Sequence, residues 1–343
     1  MNYFISPTLG VPPVLVTTLR ELDFRIMLLQ QGERNPIKSK VGLGLDFIRD
    51  SWYLFRQRRA LQQAGVIVVN SYVALSVLLL HRLGLIRYRK LIYFGFFLHA
   101  PRYFPLFRML FRMLLTEQDM IQVFSQHELM LYQQKLGLKK SRLVYAPLPY
   151  QPEKKPVATP LTGRLPKAYF FAGGYTNRDY AALIQAFAHR TEQLVICGSS
   201  LNHDLPAGKT YANITVFRDL PRKAFKELVA HAQACLLPVK DDTGAAGQSF
   251  VLEAMAFQKV VIATQTHVLT ELIDQNQTGF LLADMRIELP LLLRQLQTGE
   301  FDLVQMGREA HNKLIRDYSD EAFAHALAQV IRPCLEKQTY QKQ

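Results

Sequence analysis

Short apolar runs recur through the first half of the chain: NYFIS at 2–6, FRIMLL at 24–29, VIVVN at 66–70, KLIYFGFFL at 90–98, MIQVFS at 120–125 and RLVYAPL at 142–148. Runs this short, with no polar alternation, are the pattern of strands buried on both faces, and the stretches between them are long enough for crossover helices. The second half repeats the arrangement with AYFFAGG at 168–174, QLVICGS at 193–199, ITVF at 214–217, ACLLPV at 234–239 and VVIAT at 260–264. Helices are expected there at about 177–189, 221–233 and 249–257. Ser125 with Glu128, and Thr176 with Asp179, have capping-box spacing and predict helix starts; for Glu128 the capping role is preferred over a catalytic one.

Strands alternating with helices predict an α/β fold, two Rossmann-like doubly wound domains in tandem. A chain of 343 residues suits two cores better than one. Between the halves lies PLPYQPEKKPVATPLTGRLPK at 147–167, with six prolines, a linker composition. The expected division is a first domain at 1–150, a linker at 151–167, a second domain at 168–318 and an amphipathic helix within 319–343 that packs back on the first domain. Tandem sheets of this kind place a ligand cleft outside their strand carboxyl ends.

The longest apolar stretch, AGVIVVNSYVALSVLLL at 64–80, falls short of the ~20 residues a bilayer span needs. Asn70 and Ser71 split it into a strand and a helix. MNYFISPTLGVPP lacks the basic and sustained apolar parts of a secretory signal, so none is expected.

Charge changes the picture. Residues 1–160 hold 22 Lys and Arg against 9 Asp and Glu, whereas residues 161–343 hold 19 of each, so the net +13 lies in the first half. Between Asp50 and Glu117 no acid occurs, while ten Arg or Lys are interleaved with Trp52, Tyr53, Phe55, Tyr103, Phe104, Phe107 and Phe111. Such a surface attracts an anionic membrane or nucleic acid. APRYFPLFRMLFRMLL at 100–115 sets Arg102, Arg108 and Arg112 among Phe and Leu, a basic amphipathic helix suited to a membrane interface; core packing with snorkelling arginines is the other reading. Cys197, Cys235 and Cys334 are few and far apart, which points to buried thiols in a reducing compartment, with neither disulfides nor a metal site.

The densest chemistry lies in TGAAGQSFVLEAMAFQKVVIAT at 243–264. Glu253 sits among apolar neighbours, where a carboxylate is costly without partners. Gly247, Gln248 and Ser249, with Phe250 next in the turn, open the helix, and backbone amides at a helix N-terminus suit a diphosphate. Arg178, close behind Gly173-Gly174, is either a counter-charge for that diphosphate or a solvated helix residue.

FAGGYTNRDYAALIQAF at 171–187, ITVFRDLPRKAFKELVAHAQACLLPV at 214–239 and GQSFVLEAMAFQKVVIATQTHVLTELIDQNQTGFLL at 247–282 resemble, in this order, the GT-B glycosyltransferases of the family 4 type. The likeness covers about 168–320; the first domain is similar in outline only. It implies a nucleotide-sugar donor, UDP- or GDP-linked, on the second domain and an acceptor on the first, with no other cofactor and no metal. It also implies that Glu253 binds the ribose hydroxyls, that Gly198, at Cys197-Gly198-Ser199, and Phe217, at Phe217-Arg218, lie near the nucleobase, and that His99, at the end of KLIYFGFFL, touches the donor sugar catalytically. A partly buried structural histidine is the rival reading of His99. SPTLGVPP would line the cleft, with Gly10 allowing close approach. Two departures stand out. Gly174 takes the place of an arginine, leaving Arg178 alone where the family has two cations. Ala245 replaces the first acid of the Glu-x7-Glu pattern; Asp241 or Asp242 is either a substitute by position or part of an ordinary turn in PVKDDTG, and retention, the family default, is left without its usual carboxylate.

The expectation is therefore a hexosyltransferase acting on a lipid or lipid-linked acceptor, peripherally bound to the cytoplasmic face of a membrane. A soluble acceptor or a sugar-nucleotide epimerase of the same fold remains open. Nucleic-acid binding is disfavoured, since no helix-turn-helix, RNP or zinc pattern appears. A nicotinamide dehydrogenase is disfavoured too: Gly42-Leu43-Gly44-Leu45 does not complete a dinucleotide fingerprint.

Overall fold

The computed structural model describes residues 1–7, 11–29, 40–70, 72–98, 101–152, 165–202, 205, 211–241 and 246–336. The chain divides into two compact units, Met1–Pro147 with Asp320–Gln343, and Leu148–Ser319.

The first unit runs β1 (Asn2–Ser6), α1 (Pro13–Glu21), β2 (Phe24–Leu28), α2 (Lys40–Arg56), α3 (Arg58–Leu61), β3 (Ala64–Asn70), α4 (Val73–Arg82), β4 (Tyr88–Phe94), α5 (Phe104–Leu114), β5 (Met120–Val123), α6 (Gln126–Leu136) and β6 (Leu143–Tyr145). Its strands form one parallel sheet in the order β2-β1-β3-β4-β5-β6. Helices α2, α4, α5 and α6 bury Leu54, Val77, Phe107 and Tyr132 against one face. The stretch at 64–80 resolves into β3 and α4, and no described helix is long and apolar enough to cross a membrane.

The second unit runs β7 (Phe170–Gly174), α7 (Tyr180–Phe187), β8 (Leu194–Gly198), β9 (Ile214–Arg218), α8 (Arg222–His231), β10 (Ala234–Leu237), α9 (Gln248–Ala256), β11 (Val261–Thr264), α10 (Leu269–Leu272), β12 (Gly279–Leu282), α11 (Met285–Gln297) and α12 (Leu303–Tyr318). Its parallel sheet has the order β12-β11-β10-β7-β8-β9. Phe171 stands opposite both Val195 and Cys235. Helices α8, α9 and α12 pack on one face of the sheet, α7 and α11 on the other. The last helix, α13 (Asp320–Glu336), returns to the first unit. There Phe323, Leu327 and Ile331 cover Phe4, Val66 and Phe94 on the face that α1 also packs against.

Local differences from the sequence reading have simple causes. Leu148 and Tyr150 belong with the second unit, because both pack on its core and the Tyr150 N–H donates to Tyr318 O at 2.8 Å. Helix α7 starts at Tyr180 because Asn177 adopts φ 57° and Asp179, in place of Thr176, is the cap, accepting from the Ala182 N–H at 3.1 Å. Ser125 does cap α6, accepting from the Glu128 N–H at 3.1 Å. Gly42-Leu43-Gly44-Leu45 lies inside α2.

Candidate functional site

Strands β9, β8 and β7 enter the second sheet from one side in reverse chain order, and β10, β11 and β12 continue from the other. The direction reverses between β7 and β10, which is where open α/β sheets bind ligands, beyond the strand carboxyl ends. The segments after these two strands are stitched together: the Asp179 N–H donates to Pro238 O at 2.8 Å, and Arg178 bridges Val239.

Arg178 is buried at this point, 7% exposed. Its Nε donates to Gly173 O at 3.4 Å and its Nη1 to Thr176 O at 3.0 Å and Asn177 O at 3.3 Å. Among the described residues no carboxylate pairs with it. Burial pulls its pKa below the usual arginine range. The guanidinium lies over Gly174, where a Cβ would stand 2.6 Å from its Nε and where the backbone takes φ +151°. The missing side chain of Gly174 thus makes the room in which Arg178 sits, and the solvated reading of Arg178 does not fit its burial.

The second strand of the pair leads to α9. Gly247 precedes the helix at φ +97°, and among the described residues no side chain caps it. Gly247 lies against Leu237, the last residue of β10, and the amides of Gln248 and Ser249 at this helix start suit an anion. Gln248 is buried and Ser249 exposed. Phe250, by contrast, turns its ring into the core, 6.1 Å from Phe171 and 6.2 Å from Phe225, which removes it from the helix mouth.

Glu253 is 1% exposed inside α9. Its carboxylate has a partner within the chain that the sequence reading did not find: Arg222, first residue of α8, donates from Nη1 to Oε2 at 2.9 Å and pairs from Nη2 with Oε1 at 2.8 Å. Arg222 is itself half exposed and lies over the Phe225 ring at 5.7 Å. Only the Pro221-Arg222 helix start hinted at it, since the two partners lie 31 positions apart.

Gly198 ends β8, opposite Arg218. The Arg218 guanidinium donates to Ser199 O, Asn202 O and Leu205 O, fixing the loop after β8. Phe217 is half-buried on β9 and packs against the core on the α8 and α9 side. Cys197 is buried, which pushes its thiol up to about 11. Asp241 is exposed and accepts from Asn177 Nδ2 at 3.3 Å. His99, Gly10, Asp242 and Ala245 lie outside the described residues. No three His, Cys, Asp or Glu side chains gather as metal ligands among the described residues.

Residues 166–289 match the sequence model of the family described as glycosyl transferases group 1. A comparison with curated protein sequences returned no match. Three solved structures superpose over nearly the whole chain. Sucrose-phosphate synthase from Thermosynechococcus elongatus does so at TM-score 0.70 and 15% identity, covering 98% of this chain and 100% of that one. HepE of Anabaena, in complex with UDP-glucose, does so at 0.65 and 13%, covering 97% and 100%. The lipopolysaccharide outer core galactosyltransferase WaaB does so at 0.61 and 13%, covering 96% and 99%. The fold is GT-B: two Rossmann-like units, each on a six-stranded parallel sheet.

Proposed function

We propose that this protein is a glycosyltransferase that draws a hexose-type sugar from a nucleoside-diphosphate donor, UDP- or GDP-linked. One observation carries the reading: a buried guanidinium whose hydrogen-bond partners among the described residues are all carbonyl groups, at the strand-order reversal, with the α9 N-terminus following the neighbouring strand. A buried cation without a counter-anion is costly, and a diphosphate supplies that anion. Arg178 and the α9 amides then offset the charge that grows on the diphosphate as the glycosidic bond breaks, in a site whose donors are already in place. The protein's own cations do this work, which favours a metal-independent reaction. Glu253 takes the ribose hydroxyls by exchanging its Arg222 partner, and His99 is assigned to the sugar. Retention is the favoured outcome by resemblance. The bound UDP-glucose of HepE supports a uridine donor.

The acceptor is assigned to the first unit, as a lipid or lipid-linked saccharide met at the cytoplasmic face of a membrane. Helix α5 supports this: Phe104, Phe107 and Phe111 are buried while Arg108, Met109, Arg112 and Met113 are exposed, so its outer side is basic and apolar at once.

The test is a thermal-unfolding screen with UDP, GDP and their hexose conjugates. One nucleotide set should raise the midpoint in wild type and fail to do so in Arg178→Met. No shift with any nucleotide, with Glu253→Ala behaving as wild type, would remove the reading.

A further inference from the structure

Helix α2 anchors to the core through Leu54 and Phe55 but carries a reversed pattern between Leu45 and Trp52. Leu45, Ile48 and Trp52 are 62%, 65% and 62% exposed. At spacings of three and four they form a single stripe along the helix. Asp46 and Asp50 are buried instead, and Ser51 Oγ hydrogen-bonds Ser76 Oγ of α4 at 2.9 Å. A helix that packs on a core in water carries the opposite arrangement, apolar inward and charged outward. The reversed stripe leaves several large apolar side chains together in solvent, the mark of a surface that meets another apolar phase.

Helix α5 carries a second exposed ridge, Leu106, Met109 and Met113, on the same face of the first sheet, with α4 packed between the two. Charge identifies the occupant. The sequence from Ser51 to Thr116 contains no acid, and Arg56, Arg59, Arg102, Arg108 and Arg112 are exposed around the ridges. A second copy of this face would bring arginines against arginines, and nucleic acid offers nothing apolar for Ile48 and Met113 to enter. An anionic bilayer satisfies both demands, phosphates for the arginines and acyl chains for the ridges. Trp52, stacked on Phe55 at 5.9 Å, is the side chain best suited to the boundary layer.

We propose that the α2 and α5 ridges of the first unit together form a membrane-docking face for anionic lipid, with α2 as the inserting element. This deepens the membrane part of the proposed function and adds an element on which that reading did not rest.

Trp52 is the only tryptophan in the chain, so the intact protein reports on its own docking. Its emission should shift to the blue on vesicles of phosphatidylcholine with phosphatidylglycerol and be quenched by brominated acyl chains, with a much weaker response to phosphatidylcholine alone. Ile48→Glu keeps the reporter and sits at an exposed position; it should retain the wild-type circular dichroism and weaken vesicle binding about tenfold or more. No shift on anionic vesicles overturns the proposal. So does a shift that follows protein concentration without lipid, which would mean a second copy, or one produced by an oligonucleotide but not by vesicles. Failure of the nucleotide screen with vesicle docking intact overturns the transferase reading alone, and the reverse pattern overturns this one alone.

Discussion

Arg222 grips the Glu253 carboxylate with both guanidinium arms, Nη1 to Oε2 at 2.9 Å and Nη2 to Oε1 at 2.8 Å, although one residue is half exposed and the other almost fully buried. The pair explains how an acid survives in the middle of α9: the charge is met at the helix surface by a residue of the neighbouring helix. It also sets up a competition, since ribose hydroxyls would contend for the same oxygens.

Arg222→Ala should therefore destabilise the free protein by roughly 1–2 kcal/mol, less than a fully buried pair because water reaches the site. The same variant should gain more than wild type from a bound nucleotide. Chemical denaturation with and without UDP measures both; an equal nucleotide gain in the two proteins would contradict the competition.

Gly174→Ala tests the seat of Arg178. A Cβ there would stand 2.6 Å from Nε, in a backbone region that L residues seldom adopt. A stability loss of about 1–3 kcal/mol is expected, with nucleotide affinity falling at least tenfold as the guanidinium is displaced. Calorimetric titration of the folded variant separates the two effects, and unchanged affinity would clear Arg178 of the role.

Glu128 gives a pH prediction. Burial pushes its carboxyl from 4.5 up to about 7, against the opposing hydrogen bonds from the Phe124 N–H at 3.0 Å and the Tyr132 hydroxyl at 3.1 Å. A carboxyl whose folded value is raised binds its proton more tightly in the native state. Its contribution is fully present below the unfolded value and is lost as pH rises from about 4.5 to about 7. The loss is on the order of 3 kcal/mol. Glu128→Gln should flatten the stability slope across that window, whatever its absolute stability; buried Asp119 is shifted in the same direction and leaves a residual slope. An unflattened slope would refute the assignment.

Reversing charge on α5 tests the acceptor side. Arg108→Glu with Arg112→Glu, both exposed, should leave the fold intact and cut flotation with anionic vesicles by a factor of ten or more, at about 1 kcal/mol per basic residue and more for its reversal. Unchanged flotation would refute the role given to these arginines.

Much of this architecture is legible in short apolar runs, because a strand buried on both faces has no polar alternation to confuse it. The runs at 66–70, 168–174 and 234–239 became β3, β7 and β10 almost residue for residue. The short strand Gly279–Leu282 was visible only as part of the family pattern, four residues being too few for periodicity to act on. Helix α2 was hidden for a different reason: Asp46 and Asp50 face inward while Leu45, Ile48 and Trp52 face outward, so the usual rule misreads it as loose basic and aromatic sequence. The burial cost of Glu253 was readable from VLEAMA, whereas its Arg222 partner was not, because contacts between helices follow sheet order and leave no trace in spacing. For Phe250, position in a motif pointed toward a ligand, whereas its ring packs into the core against Phe171 and Phe225, a contact between elements that motif position does not reveal.

The return of α13 to the first unit has a consequence for how the protein comes into being. Phe4, Val66, Val68 and Phe94 are made early, yet Phe323, Leu327 and Ile331, which cover them together with α1, are made only after the whole second unit. Synthesis thus passes through a long interval in which one side of the first sheet is covered by α1 but still lacks α13, while the second unit, contiguous from Leu148 to Ser319, can already fold. The order of maturation reverses the order of the sequence: the half written second is the half that can be finished first.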